Sequence, residues 1–203
     1  MAAKKQRVGA SVARRQGRAR EHILTAAREL VLESGPEHLS LRKVAERASF
    51  SPASLYEYFD GKDDIVRALS ERVARRLDER MASVPRPLPP PKRLVRYGQA
   101  YVAFARENPE DFVLLFHHLR SKRTATTEPV EGGSYLRLLE AAREGIADQS
   151  IARRDPEGVA YGLWAVAHGL AMLQITHLRG FDIDFEAADA DALRTYVEGL
   201  RAP

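Results

Sequence analysis

The chain has 203 residues and no cysteine, with 32 Lys and Arg against 28 Asp and Glu for a net charge of +4. That length buries a real core, and the lack of cysteine excludes a disulfide scaffold, a cysteine nucleophile and a thiolate zinc site. At 44% hydrophobic and 30% charged residues, the composition is that of a folded chain rather than a disordered one.

The charge is unevenly distributed. Residues 1–20 hold Lys4, Lys5, Arg7, Arg14, Arg15, Arg18 and Arg20 and no acid. A segregated basic stretch suits a polyanion, either nucleic acid or an anionic membrane surface. No apolar run follows it, so it does not read as a secretory signal. It is expected to be a flexible arm over residues 1–19.

Helical periodicity dominates beyond the arm, and no stretch alternates long enough to make a strand. The expected fold is all-α, with about nine helices. The first helix should span residues 18–34, with Ile23, Ala27, Leu30 and Val31 on one face and Gly35-Pro36 as its stop. Ser40 suits the N-cap of a short second helix, whose Leu41, Val44, Ala45 and Ala48 share a face. Ser51-Pro52 opens a third, with Ser as cap and Pro at the first helical position, burying Leu55 and Phe59 before Gly61 breaks it. A fourth starts near Lys62-Asp63-Asp64 and aligns Ile65, Leu69, Val73 and Leu77.

Prolines 85, 87, 89, 90 and 91 make a stiff break, read as a corner between parts rather than a signalling ligand. Further helices are expected over 91–107, from Asn108-Pro109 to 119, over 134–149, from Asp155-Pro156 to 177, and over 185–200, with a polar mobile loop at 120–133. The run 159–175 is apolar apart from His168, Gln174 and two glycines, slightly short of a membrane span, so it reads as a buried central helix.

Helices in the order long, short, short, with the turn Ala48-Ser49-Phe50-Ser51 between the second and third, describe a helix-turn-helix behind a support helix. The residue string is more specific. Ile23-Leu24-x-Ala26-Ala27, Leu41-Arg42-x-Val44-Ala45 and Ser51-Pro52-x-Ser54-Leu55-Tyr56-x-Tyr58-Phe59-x-Gly61-Lys62 resemble the DNA-binding domain of the TetR family of bacterial transcriptional regulators. The resemblance implies a DNA-binding domain over 20–66 and an effector-binding and dimerisation domain over 67–203. Ser49 stands where that family usually carries Gly; if the backbone there needs φ > 0, Ser costs roughly 1 kcal/mol. Phe50 replaces a smaller apolar residue.

By geometry and resemblance together, Ser51, Pro52, Ala53 and Ser54 enter the major groove of double-stranded DNA. Ser54 suits a base edge or phosphate, and Pro52 and Ala53 a thymine methyl. Arg42 matches a guanine-reading position. Tyr56, Tyr58 and Lys62 match positions that contact DNA, and Ser40 suits a phosphate at a helix N-terminus. The plainer roles are caps for Ser40 and Ser51, packing for the tyrosines and solvation for Lys62. Residues 51–60 contain Glu57 and Asp60 but no cation, so phosphate contacts must come from elsewhere, the basic arm included.

In the apolar helix, Gly158, Gly162, Ala165 and Gly169 make a small-residue stripe that admits a partner helix. Tyr161, Trp164, His168 and Met172 lie on an adjacent face. Trp164-x3-His168-Gly169 resembles the Trp-His-Gly signature of one C-terminal domain type in the family. The resemblance implies a homodimer on a pseudo-palindromic operator and a pocket for a small, largely apolar effector. Tyr97, Tyr101, Phe104, Phe112, Phe116, Tyr135, Trp164 and His168 are its candidate lining, and the same residues equally suit a plain core.

His117 and His118 are adjacent, which is poor metal-ligand geometry on a helix, so no metal is expected. No nucleophile–base pair, paired-carboxylate motif or phosphate loop stands out, which argues against an enzyme and against a cofactor. The sequence reads as a cytoplasmic, ligand-responsive regulator, more suited to repression. The competing readings are a DNA-binding regulator without a small-molecule effector and, behind it, a helical-bundle enzyme.

Overall fold

A computed structural model describes residues 2–121, 133–178 and 180–201, and the side chains of 13–116, 133–178 and 180–201. The described residues form nine α-helices and one 3₁₀ turn and contain no strand. The helices are α1 (Ala2–Ser34), α2 (Leu41–Arg47), α3 (Pro52–Leu55), α4 (Lys62–Ala82), α5 (Pro90–Glu107), α6 (Pro109–Ser121), α7 (Gly133–Ala147), α8 (Pro156–Thr176) and α9 (Phe185–Glu198), with the 3₁₀ turn at Pro36–His38.

The first helix departs most from the sequence reading. It starts at Ala2 rather than near residue 18, so the stretch read as a flexible arm is helical backbone. Ala, Lys, Arg and Gln dominate residues 2–20, no proline interrupts them, and straight-chain cations lose little rotamer freedom in a helix. The third helix is shorter than expected. Its α-helical part ends at Leu55, and the chain continues to Phe59 through a tightened turn in which Tyr56, Glu57 and Tyr58 each donate to the carbonyl three residues back.

The chain divides into two units, Met1–Arg72 with Leu114–Arg123, and Val73–Val113 with Thr124–Pro203. The division falls within α4, between Arg72 and Val73, and not at the proline stretch. Of the polar loop expected at 120–133, residues 122–132 lie outside the described set.

The core of the first unit contains Ile23, Ala27, Leu30 and Val31 of α1, Val44, Ala45 and Ala48, then Leu55, Phe59, Ile65 and Leu69. Small residues at 26, 27, 45 and 48 let the short helices approach α1 closely. In the second unit α5 and α8 supply the central pair, with α7 and α9 packed against them. By length and hydropathy α8 is the one described helix that passes for a membrane span, yet seven of its residues, from Val159 to Ile175, are buried against neighbouring helices. Asp155 caps it, accepting from the Gly158 N–H at 3.0 Å. At the start of α6 the Asn108 side chain serves its other neighbours: it donates to the Phe104 carbonyl at 3.0 Å and accepts from Arg76 at 2.6 Å.

Candidate nucleic-acid interface

Ser51 and Ser40 sit where caps belong. The Ser40 hydroxyl accepts from the Lys43 N–H at 3.3 Å, and the Ser51 hydroxyl accepts from the Ser54 N–H at 3.1 Å. The Ser51 and Ser54 hydroxyls are also 2.8 Å apart. One proton is used between them, which leaves the pair one proton and spare lone pairs to offer outward. Ser51, Pro52 and Ala53 are exposed, and Tyr56 is 62% exposed. An exposed aromatic that ends in a hydroxyl suits a partner surface that is part apolar and part wet.

Leu55 and Phe59 anchor the segment from below, both almost fully buried. The Arg20 guanidinium lies 4.5 Å over the Phe59 ring, a cation–π contact that ties α1 to the end of the turn. Lys62 is half-buried, and its ammonium donates to the Glu37 carbonyl at 2.8 Å, with two of its three protons left over. Arg42 and Lys43 are exposed on α2. Arg47, by contrast, is spent on the acids of α1, reaching Glu33 at 2.8 Å and Glu29 at 3.3 Å. Its hydrogen bond and charge hold the Glu33 carboxyl below its usual range.

The turn itself is a Schellman motif. Phe50 N–H bonds the Ala45 carbonyl at 2.8 Å and Ser49 N–H the Glu46 carbonyl at 3.2 Å. Ser49 occupies the left-handed position, at φ 57°, where glycine is at ease and serine strained. The bulk of Phe50 is taken up by rings on two sides: Tyr58 meets it edge-on at 5.9 Å, and His22 of α1 lies 6.3 Å away. His22 also places Nε2 3.1 Å from the Ala48 carbonyl oxygen, a contact that requires the proton on Nε2. Neither the role of His22 nor that of Arg20 was foreseeable, because the partner of each is remote in sequence and leaves no periodic trace. Tyr58 is therefore partly a packing residue, while Tyr56 is not.

In the second unit the structure gathers the aromatic candidates around Tyr101. The Tyr101 hydroxyl lies 3.0 Å from His168 Nδ1 and accepts from Trp164 Nε1 at 3.2 Å. Phe112 meets Tyr101 edge-on at 5.2 Å and His168 at 5.9 Å, and Tyr135 reaches Trp164 at 6.1 Å. Burial pushes the Tyr101 phenol well above its ordinary range and depresses His168. Both shifts favour the neutral forms of the pair, which share one proton across this contact. Tyr97 is buried on the same helix, Phe104 lies under the Arg76 guanidinium, and Phe116 belongs to the segment counted with the first unit. An open groove of about 1110 Å³ lies elsewhere in the second unit, lined by α5 and α9 residues such as Lys92, Arg96, Arg106, Glu186 and Arg194, and by none of the eight candidates.

The small stripe of α8 splits in two. A Cβ at Gly162 would fall 2.0 Å from the Tyr196 hydroxyl, so this glycine admits α9 of its own subunit. That hydroxyl donates to the Val159 carbonyl at 3.2 Å. Gly158, Ala165 and Gly169 are exposed, along with Tyr161 and Leu173. His117 and His118 lie outside the described side chains.

Comparison with known proteins adds an independent line. The profile of the family described as bacterial regulatory proteins, tetR family, matches residues 23–69. That described as tetracyclin repressor-like, C-terminal domain, matches residues 94–197. An uncharacterised HTH-type transcriptional regulator of Mycobacterium tuberculosis is 33% identical over 98 residues, 48% of each chain. The match thus spans about half the length of that relative. YobS of Bacillus subtilis, also an uncharacterised HTH-type transcriptional regulator, is 25% identical over 92% of this chain and 94% of its own. A solved structure of a protein of unknown function from Rhodococcus sp. RHA1 superposes with a TM-score of 0.77 at 25% identity, over 91% of this chain and 96% of the other.

Proposed function

The chain belongs to the TetR family, and on that premise we propose that it is a homodimeric, DNA-binding transcriptional regulator of the cytoplasm that represses until a small, largely apolar effector releases it. Its work is binding rather than catalysis. The observation that carries this reading is the outward-facing start of α3: Ser51, Pro52, Ala53 and Tyr56 exposed, on a segment anchored by buried Leu55 and Phe59. In the bound state Ala53 and Pro52 meet thymine methyls, the Ser51–Ser54 pair donates to a base edge or phosphate, and Arg42 reads guanine. Ser40, Tyr56, Tyr58 and Lys62 hold the phosphates.

Two such units in a twofold dimer read half-sites one DNA turn apart. The exposed Gly158, Ala165, Gly169, Tyr161 and Leu173 support α8 as part of the dimer seam, as no charged residue interrupts them. Gly162 drops out of that seam, since Tyr196 already fills its space. Selection of bound sites from random duplexes tests the whole reading, with a pseudo-palindrome expected. Arg42→Ala should then cost about 1–3 kcal/mol and relax one position. An unselected or non-palindromic pool refutes it.

For the effector, the Tyr101 hydroxyl and His168 offer a polar handle inside an aromatic shell, suited to an apolar molecule with one hydrogen-bonding end. A ligand acts only through unequal affinity for the DNA-competent and incompetent states, so equal operator affinity with and without it rules that ligand out. The reading without an effector has its own support: Tyr101, Trp164 and His168 already satisfy one another.

A further inference from the structure

The structure turns the basic stretch from an arm into one helix continuous with the first unit, and a helix has faces. His22 marks one face, because its ring bonds the Ala48 carbonyl in the turn that leads to α3. Arg18, Arg15 and Arg14 stand at the i−4, i−7 and i−8 positions relative to His22, spacings that return to the same side of an α-helix. Arg14, Arg15 and Arg18 thus follow one row, on the side of α1 that His22 marks. Ile23, Ala27, Leu30 and Val31, the core-facing residues, lie around the helix from it. Arg14, Arg15 and Arg18 are exposed, whereas Arg20, off the row, is the one that packs on Phe59. No acid precedes Glu21, so the extension carries no negative side chain of its own.

From this register we propose that the N-terminal half of α1 is a second DNA-contacting element, a rigid basic row that lies along the phosphates outside each half-site. This rests on the DNA-binding reading above and deepens it. Residues 2–18 extend about 25 Å along the helix axis at about 1.5 Å per residue, or roughly 7 base pairs of duplex at about 3.4 Å each. Double-stranded DNA is the favoured occupant, because the row shares a side with the helix-turn-helix turn and because residues 51–60 bring two acids and no cation to the same partner. The row supplies affinity and salt dependence without sequence preference.

The test is fluorescence anisotropy of the full chain on its selected operator, with about 2 or about 12 base pairs beyond each half-site, across a salt series. The wild type should bind the long duplex at least about tenfold more tightly, with a steeper log K against log salt slope. The Arg14→Gln, Arg15→Gln, Arg18→Gln variant should lose the flank dependence and reduce the slope by about 0.9 per phosphate contact removed, while keeping its preference for operator over a scrambled duplex. The matching triple Arg→Lys variant should restore both, which separates charge from folding. Unchanged slope and flank dependence in the Gln variant, with operator preference intact, overturns the basic row alone. A wild type with no operator preference overturns the DNA-binding reading and the row together. Capture of the wild type by anionic phosphatidylglycerol vesicles, lost in the Gln variant, in the absence of any flank effect would overturn the DNA assignment of the row and give it to a membrane surface instead.

Discussion

The two units use their polar groups in opposite ways. In the first, hydroxyls and cations sit at the surface, as caps or as exposed side chains over a core built mostly of alanine and aliphatics. In the second, polar groups are drawn inward and spent on each other: Tyr101 with Trp164 and His168, and Gln174 with Asp189 at 2.7 Å. Some of the first unit's cations are committed at the surface, Arg47 to Glu29 and Glu33 and Lys62 to the Glu37 carbonyl, while Arg42 and Lys43 stay exposed. An interior holds polar groups cheaply when they are paired, and an unpaired one, such as Gln174 Oε1, costs its desolvation.

The largest expected effect separates the units. Phe59→Ala removes the buried anchor of the first unit and the ring under Arg20, at a cost of about 3–5 kcal/mol. The sole tryptophan, Trp164, reports the second unit by fluorescence. An early helical transition by circular dichroism, with the Trp164 transition unmoved, is the expected result, and a single coincident shift would break the contrast between the units. Next, Tyr101→Phe keeps the ring and deletes the hydroxyl that two part-buried partners, Trp164 and His168, use. A loss of about 1–3 kcal/mol is expected, read by the Trp164 transition, and an unchanged midpoint would mean that the interior pairing contributes nothing.

A smaller change of opposite sign is expected in the first unit. Ser49 is held at φ 57°, so Ser49→Gly should stabilise by up to about 1 kcal/mol, seen as a raised unfolding temperature with operator affinity retained. Smallest is a pH effect in the second unit. Burial depresses His168 below its ordinary 6.5, so between the folded and unfolded values the unfolded chain binds more protons. Stability then rises with pH in that window and falls as pH drops below about 6.5. Comparing thermal unfolding of the wild type and His168→Gln from pH 7.5 to 5 isolates this step, which the variant should lack.

Much of the first unit was legible in the sequence because its signals are local. Ser40 and Ser51 announce their helices within a single turn, and Leu55, Phe59, Ile65 and Leu69 fall on the faces their spacing predicts. The start of α1 was missed because helix propensity without an apolar face leaves no periodic mark. In the second unit the aromatic candidates could be named but not joined: Tyr101 and His168 are 67 residues apart, and nothing local pairs them. Gly162 fitted a seam between subunits by spacing alone, until Tyr196 of the following helix proved to occupy its space.

The sequence by itself therefore determined the helical class, the caps, the helix-turn-helix string and the charge of the N-terminal stretch, all of which depend on neighbours within one or two helical turns. Tertiary structure decided the rest. It showed that the basic stretch is helix with Arg14, Arg15 and Arg18 exposed, that His22 clasps the turn, and that Tyr101 of the second unit gathers Trp164 and His168. Those outcomes depend on which distant side chains fill the same space, and packing at close to crystalline density admits only one such arrangement.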